Sequence, residues 1–174
     1  MTVIRFGVVD PMSNASIDNY EAFELVYPDG SNNAEGLMVH PKTGELYILT
    51  KPSQGGTSIY RPATPLLDNE RIDLEHVVDI DLLDFDVAGS TLVTGADFSP
   101  DGKSMIIRTY SGVFLLDAQG LVDSNVWNEG GFCEGAVASE PQGEAIVFSV
   151  DGSGYYTISE GENPDINWVE LFWN

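Results

Sequence analysis

One hairpin pattern occurs three times in this chain, and it limits the fold more than any other feature. The first copy runs from Glu35 through His40, Pro41 and Gly44 to Lys51. The second runs from Thr94 through Ser99, Pro100, Asp101 and Gly102 to Thr109. The third runs from Glu144 through Ser149, Asp151 and Gly152 to Glu160. Each is a short apolar segment, a turn rich in Pro, Asp or Gly, and a second apolar segment. Such a pattern predicts two antiparallel strands joined by a tight turn, with glycine supplying the positive φ the turn needs. The copies begin 59 and then 50 residues apart, a spacing expected of repeated sheet units joined by variable loops.

A third strand is expected after each hairpin, over Thr57–Arg61, Gly112–Asp117 and Ile166–Trp173. A fourth fits Glu75–Leu82 and Phe132–Ala138, and two more candidates precede the repeats at Thr2–Phe6 and Tyr20–Tyr27. No segment carries a convincing helical period. A short helix near Leu67–Leu74 is the alternative there, whereas the alternation from Val77 to Asp86 favours a strand with its acids outward. The expected fold class is all-β, built of antiparallel β-propeller-type blades, about three blade-equivalents in all. The expected organisation is a single all-β domain over 1–174. Within it, 1–30 form the outer strands of a partial blade, 31–90 and 91–140 form two blades, and 141–174 form another partial blade.

Several ordered motifs extend this reading. Tyr27–Gly30, Asn33–Gly36 and Thr43–Lys51 are followed by Ala96–Gly102, Arg108–Tyr110, Pro141–Ala145 and Ser159–Gly161. Together they resemble a bacterial β-propeller family related to esterase-like phytases, across roughly Tyr20 to Gly161. The resemblance implies a propeller fold and favours an extracellular or periplasmic location. It also implies an alternative function, a Ca²⁺-dependent phytase-like or esterase-like hydrolase. The chain departs from that family in that it is expected to start mid-blade, without the blades that precede it there.

Closed propellers have four to eight blades, so about three would leave open sheet edges, which template pairing with other chains. Self-association is therefore expected, as a homodimer that closes a six-bladed ring or as a fibre grown by strand addition. A separately encoded partner supplying the missing blades is a further possibility, and an irregular β-sandwich monomer is the alternative to all of these.

Charge narrows the partners. The chain carries 28 acids against 7 bases, a formal net charge of −21. That balance excludes nucleic acid, which needs Lys and Arg to displace counterions. It also disfavours anionic membrane surfaces, and no run is long and apolar enough for membrane insertion. A hydrated acidic coat, divalent cation binding and a basic partner remain open. Cys133 is the only cysteine, so no intrachain disulfide forms, and it is expected to be a buried structural thiol. No secretory signal precedes the first strand.

Candidate chemistry sits where blade rims converge. Antiparallel pairing brings the start of each first strand beside the end of the second. Glu35, Thr94 and Glu144 are equivalent by alignment. Lys51, Arg108 or Thr109, and Ser159 or Glu160 should lie beside them. Ca²⁺ is the candidate cofactor, held by Glu35, Asp97, Glu144 and Glu160, because it accepts many oxygen ligands in loose geometry. The competing expectation is that Lys51 and Arg108 pair with these acids. The run Asp79, Asp81, Asp84 and Asp86 reads as a solvated strand edge, and Asp101 and Asp151 as turn residues. The only histidines, His40 and His76, have no evident Ser or Cys partner, so no catalytic residues are assigned. The leading expectation is a non-enzymatic acidic module for binding or assembly.

Overall fold

The computed structural model describes residues 1–7, 12, 16–54, 56–82 and 90–172. It is all-β, with sheets that are mainly antiparallel. The chain divides into two compact units, Met1–Ser31 with Pro62–Glu75, and Asn32–Arg61 with His76–Asn174.

In the first unit, β1 (Thr2–Phe6) pairs antiparallel with β2 (Tyr20–Val26), which pairs in parallel with Arg71–Asp73 at the start of β6 (Arg71–Ile80). Alternation selects the faces: Phe23, Leu25, Ile72 and Leu74 are buried, while Glu24, Asp73 and Glu75 are not. Arg5 lies opposite Glu21 and bonds its carboxylate at 2.7 Å. The Asp68 carboxylate accepts from the Ala22 N–H at 2.8 Å. No helix forms over Leu67–Leu74; a turn ends at Glu70 and β6 begins at Arg71. The strand wins because Ile72 and Leu74 alternate with charged Arg71, Asp73 and Glu75, a period of two rather than 3.6.

The second unit contains the repeats. Its first sheet has the order β3 (Ala34–Val39), β4 (Leu46–Thr50), β5 (Thr57–Pro62) and the later half of β6. Its second sheet has the order β7 (Val93–Phe98), β8 (Ser104–Thr109), β9 (Val113–Asp117) and β10 (Phe132–Gly135). The third, among the described residues, comprises β11 (Gly143–Phe148), β12 (Gly154–Ser159) and β13 (Ile166–Glu170). Trp173, at the end of the expected last strand, lies outside the described residues, as do Asp84 and Asp86.

Register confirms that the three hairpins are one repeat. Each first strand carries a bulge at the same aligned residue: the pairing skips Glu35, Thr94 and Glu144. Each turn closes alike, with Gly44, Gly102 and Gly152 at φ near 72–73°. In the last two turns, Asp101 and Asp151 accept from a Ser hydroxyl and from a backbone N–H two residues on. In the first, His40 Nδ1 accepts from the Lys42 and Thr43 N–H groups instead. Those bonds, and edge-on packing against Phe98, account for His40 without chemistry.

The sheets of this unit stack through two cores. Met38, Tyr47, Leu49 and Ile59 of the first meet Phe98, Met105, Ile107 and Phe114 of the second. The opposite face of the second, with Ile106, Val113 and Leu115, meets Ile146, Phe148 and Tyr155 of the third. Full burial of each such side chain contributes about 1.5–3 kcal/mol before entropy is counted.

Two features between β9 and β10 escape a periodicity search. A 3₁₀ turn (Ala118–Leu121) is capped by Asp117, and α1 (Asn125–Asn128) is a single turn that buries Trp127. Both are too short to show a period. Cys133 is exposed rather than buried. It alternates with Phe132, whose ring stacks on Phe114 at 5.8 Å, so the thiol takes the other face of β10, beside Leu115, at the exposed edge strand.

Candidate functional site

The bulged ends of β3, β7 and β11 bring three polar clusters onto the second unit. Register shows which residues are equivalent there. Thr50, Thr109 and Ser159 pair opposite Ala34, Val93 and Gly143, so the residues that follow them, Lys51, Tyr110 and Glu160, form one row. Arg108 lies one position earlier, opposite Gly95, and points between the second and third sheets. The bulge causes the offset, because it adds a residue to one strand only.

In the first cluster, Lys51 Nζ donates to Glu35 Oε2 at 2.6 Å and to the Tyr110 hydroxyl at 2.5 Å. The ammonium also lies 4.1 Å from the centre of the Tyr110 ring. Burial alone would lower the Lys51 pKa, but the bonds to Glu35 and Tyr110 outweigh it and hold it above its ordinary value. A lysine held charged in this way is a poor nucleophile or base.

The second cluster is internal. Arg108 is fully buried and donates through Nη2 to Glu140 Oε2 at 2.8 Å, and Glu140 is itself buried. Glu140 Oε1 also accepts from Asn167 Nδ2 at 2.8 Å and from the Thr157 hydroxyl. Burial pulls the Arg108 pKa down, with Glu140 opposing. Its Nε and Nη1 have no partner among the described residues. Gly143 is required here, since a Cβ would overlap the guanidinium. The neighbouring Tyr155 is pushed up to about 12 by burial, and its hydroxyl donates to the Ala136 carbonyl.

The third cluster joins two of the expected metal ligands. Gln142 Nε2 donates to Glu144 Oε1 at 2.6 Å and to Glu160 Oε2 at 2.5 Å. Glu35 is instead committed to Lys51. Asp97 spans two strands: Oδ1 accepts from the Phe98 N–H and Oδ2 from the Phe148 N–H, both at 2.9 Å. Burial raises the Asp97 pKa against these two bonds. Glu144 and Glu160 are therefore bridged by Gln142, while Glu35 is bonded to Lys51 and Asp97 to two backbone amides. No group of three or more Asp, Glu, His or Cys among the described residues is arranged to hold a metal.

Away from the rim, the Asp79 carboxylate accepts from Ser58 Oγ at 2.6 Å and lies 2.8 Å from His76 Nε2. The hydrogen bond from Ser58, then that from His76, lowers the Asp79 pKa. The order is wrong for a nucleophile: in a triad the base bonds the serine, whereas here both groups bond the acid.

The alignment anticipated Glu35, Lys51, Glu144 and Glu160, but Tyr110, Glu140 and Gln142 were missed. Tyr110 had a signal, since it immediately follows the second hairpin as Lys51 follows the first. Glu140 lies outside the repeat and had none. No protein-family profile matches the chain, and no curated protein matches it.

Proposed function

We propose that this chain is a non-enzymatic, acidic assembly module: three consecutive β-propeller-type blades that another chain completes. The observation that carries this reading is the third sheet. Among the described residues it has three strands where the second sheet has four, and the face it turns away from the second sheet is apolar and exposed. Unpaired strand edges and large apolar patches mark surfaces that meet other chains. The state of the polar groups supports an assembly role over a catalytic one. Lys51 and Arg108 are each held in an ion pair, and Ser58 and His76 share an acid instead of activating each other.

Sedimentation velocity over a hundredfold range of concentration tests the reading. The expected result is a species heavier than the 18.9 kDa chain that grows with concentration. A single 18.9 kDa species throughout would overturn self-assembly.

A further inference from the structure

The repeat defines what belongs on the uncovered face. Within the second unit the second sheet has a front, packed on the first sheet, and a back, packed on the third, and the repeat defines the same two faces on the other sheets. On the second sheet the back slots hold Asp97, Ile106 and Leu115, in register across β7, β8 and β9, and Ile106 and Leu115 are buried under the third sheet. The same slots on the third sheet hold Val147, Tyr156 and Trp168, in register across β11, β12 and β13. Tyr156 and Trp168 are 42% and 44% exposed, and their rings pack at 4.7 Å. With Ala145, Ile158 and Ile166, the β11 and β12 side of this face forms an apolar hollow of about 390 Å³.

The complementary front face is also present. Front slots on β7 and β11 hold Ala96 and Phe98, and Ile146 and Phe148, all buried against the preceding sheet. On β3 the equivalent residues, Leu37 and Val39, are half exposed. Further out on that face Ile48 and Tyr60 are already buried, so the free front is confined to the inner strand.

Charge selects between the possible mates. Residues 141–174 carry six acids and no base, whereas residues 32–61, which hold β3, β4 and most of β5, carry three bases and two acids. Two third sheets face to face would bring like charges together. A third sheet against the β3–β5 segment of another copy would meet bases as well as acids and avoid that repulsion.

We propose that the uncovered back face of the third sheet, centred on Val147, Tyr156 and Trp168, seats the β3 face of a second copy of this chain, carrying Leu37 and Val39. The inference rests on the assembly reading above and names its surfaces. The contact is head-to-tail. It closes as a two-fold dimer if the rotation permits, each copy giving one front and one back, and otherwise propagates.

Two single variants and their mixture test this by sedimentation, with circular dichroism and thermal melting as controls for folding. Val39→Glu and Trp168→Glu each place a charge at an exposed position of one mating face. Each should raise the dissociation constant at least about 30-fold, as expected for a residue at the centre of an interface, with melting nearly unchanged. An equimolar mixture should recover association, because the intact Val39 face of one variant can meet the intact Trp168 face of the other. Association that survives Val39→Glu, or a mixture that stays monomeric, would overturn the head-to-tail contact and leave self-assembly standing. A wild-type chain that is monomeric throughout would overturn both. If Trp168→Glu alone abolishes association, the face-to-face pairing of two third sheets replaces the proposal.

Discussion

The second and third sheets are the same repeat in two situations. They share the bulge, the Ser-Asp turn and the strand register. Ile106 and Tyr156 occupy one slot, as do Leu115 and Trp168, yet the first of each pair is buried and the second lies in solvent. Position in the stack decides this, not local sequence preference. An apolar slot is satisfied only where another sheet follows. The third sheet keeps the slots apolar, and even enlarges them to aromatic side chains, with no sheet among the described residues packed on them.

The comparison breaks most visibly at the contact between the two sheets. Glu140→Ala leaves the Arg108 guanidinium buried and unpaired, and should cost about 3–5 kcal/mol in urea denaturation. A loss below about 1 kcal/mol would mean that the pair is solvated in the folded protein. Next come the paired slots. Ile106→Ala should cost about 2–5 kcal/mol, the range for buried aliphatic truncation. Tyr156→Ala, at the same slot of the third sheet, should cost less than about 1 kcal/mol at concentrations where the chain is monomeric. Equal losses at the two positions would show that the third sheet is already covered.

The smallest effect is expected at the shared turn. Bonds from the Ser153 hydroxyl, the Ser153 N–H and the Ser149 hydroxyl hold the Asp151 pKa down at about 2. The folded state therefore favours the ionised acid more than the unfolded chain does. The resulting stability is present above the ordinary carboxylate range and is lost as pH falls toward about 2. Asp151→Asn should flatten the acid side of a melting-temperature profile below about pH 4 and leave it parallel to wild type near pH 7. An unchanged acid limb would detach the turn from the acid response.

These residues also show what the chain makes legible before folding. The hairpins read clearly, because turn chemistry at Ser99–Gly102 and Ser149–Gly152 is local and alternation fixes which side chains face inward. The alignment set Glu35, Thr94 and Glu144 at equivalent positions, but that each is a bulged residue emerges only from the strand register. Partner choice is not local. Nothing in Tyr20–Val26 says that it pairs in parallel with Arg71–Asp73, and nothing in Glu140 marks it as the mate of Arg108. Both contacts depend on segments far apart in the chain. The expected acidic rim was half legible for the same reason: Glu144 and Glu160 meet through Gln142, while Glu35 is held by Lys51 and Asp97 by two backbone amides.

The central claim is that the back of the third sheet is a seat waiting for another sheet. Oxidative footprinting across a concentration series tests it most directly, because it reports on the named side chains. Tyr156 and Trp168 should become protected as concentration rises. The exposed Val122, on neither mating face, should react at a constant rate. Constant reactivity of Tyr156 and Trp168 across the series, in a sample whose mass is increasing, would contradict the claim and move the assembly surface elsewhere on the chain.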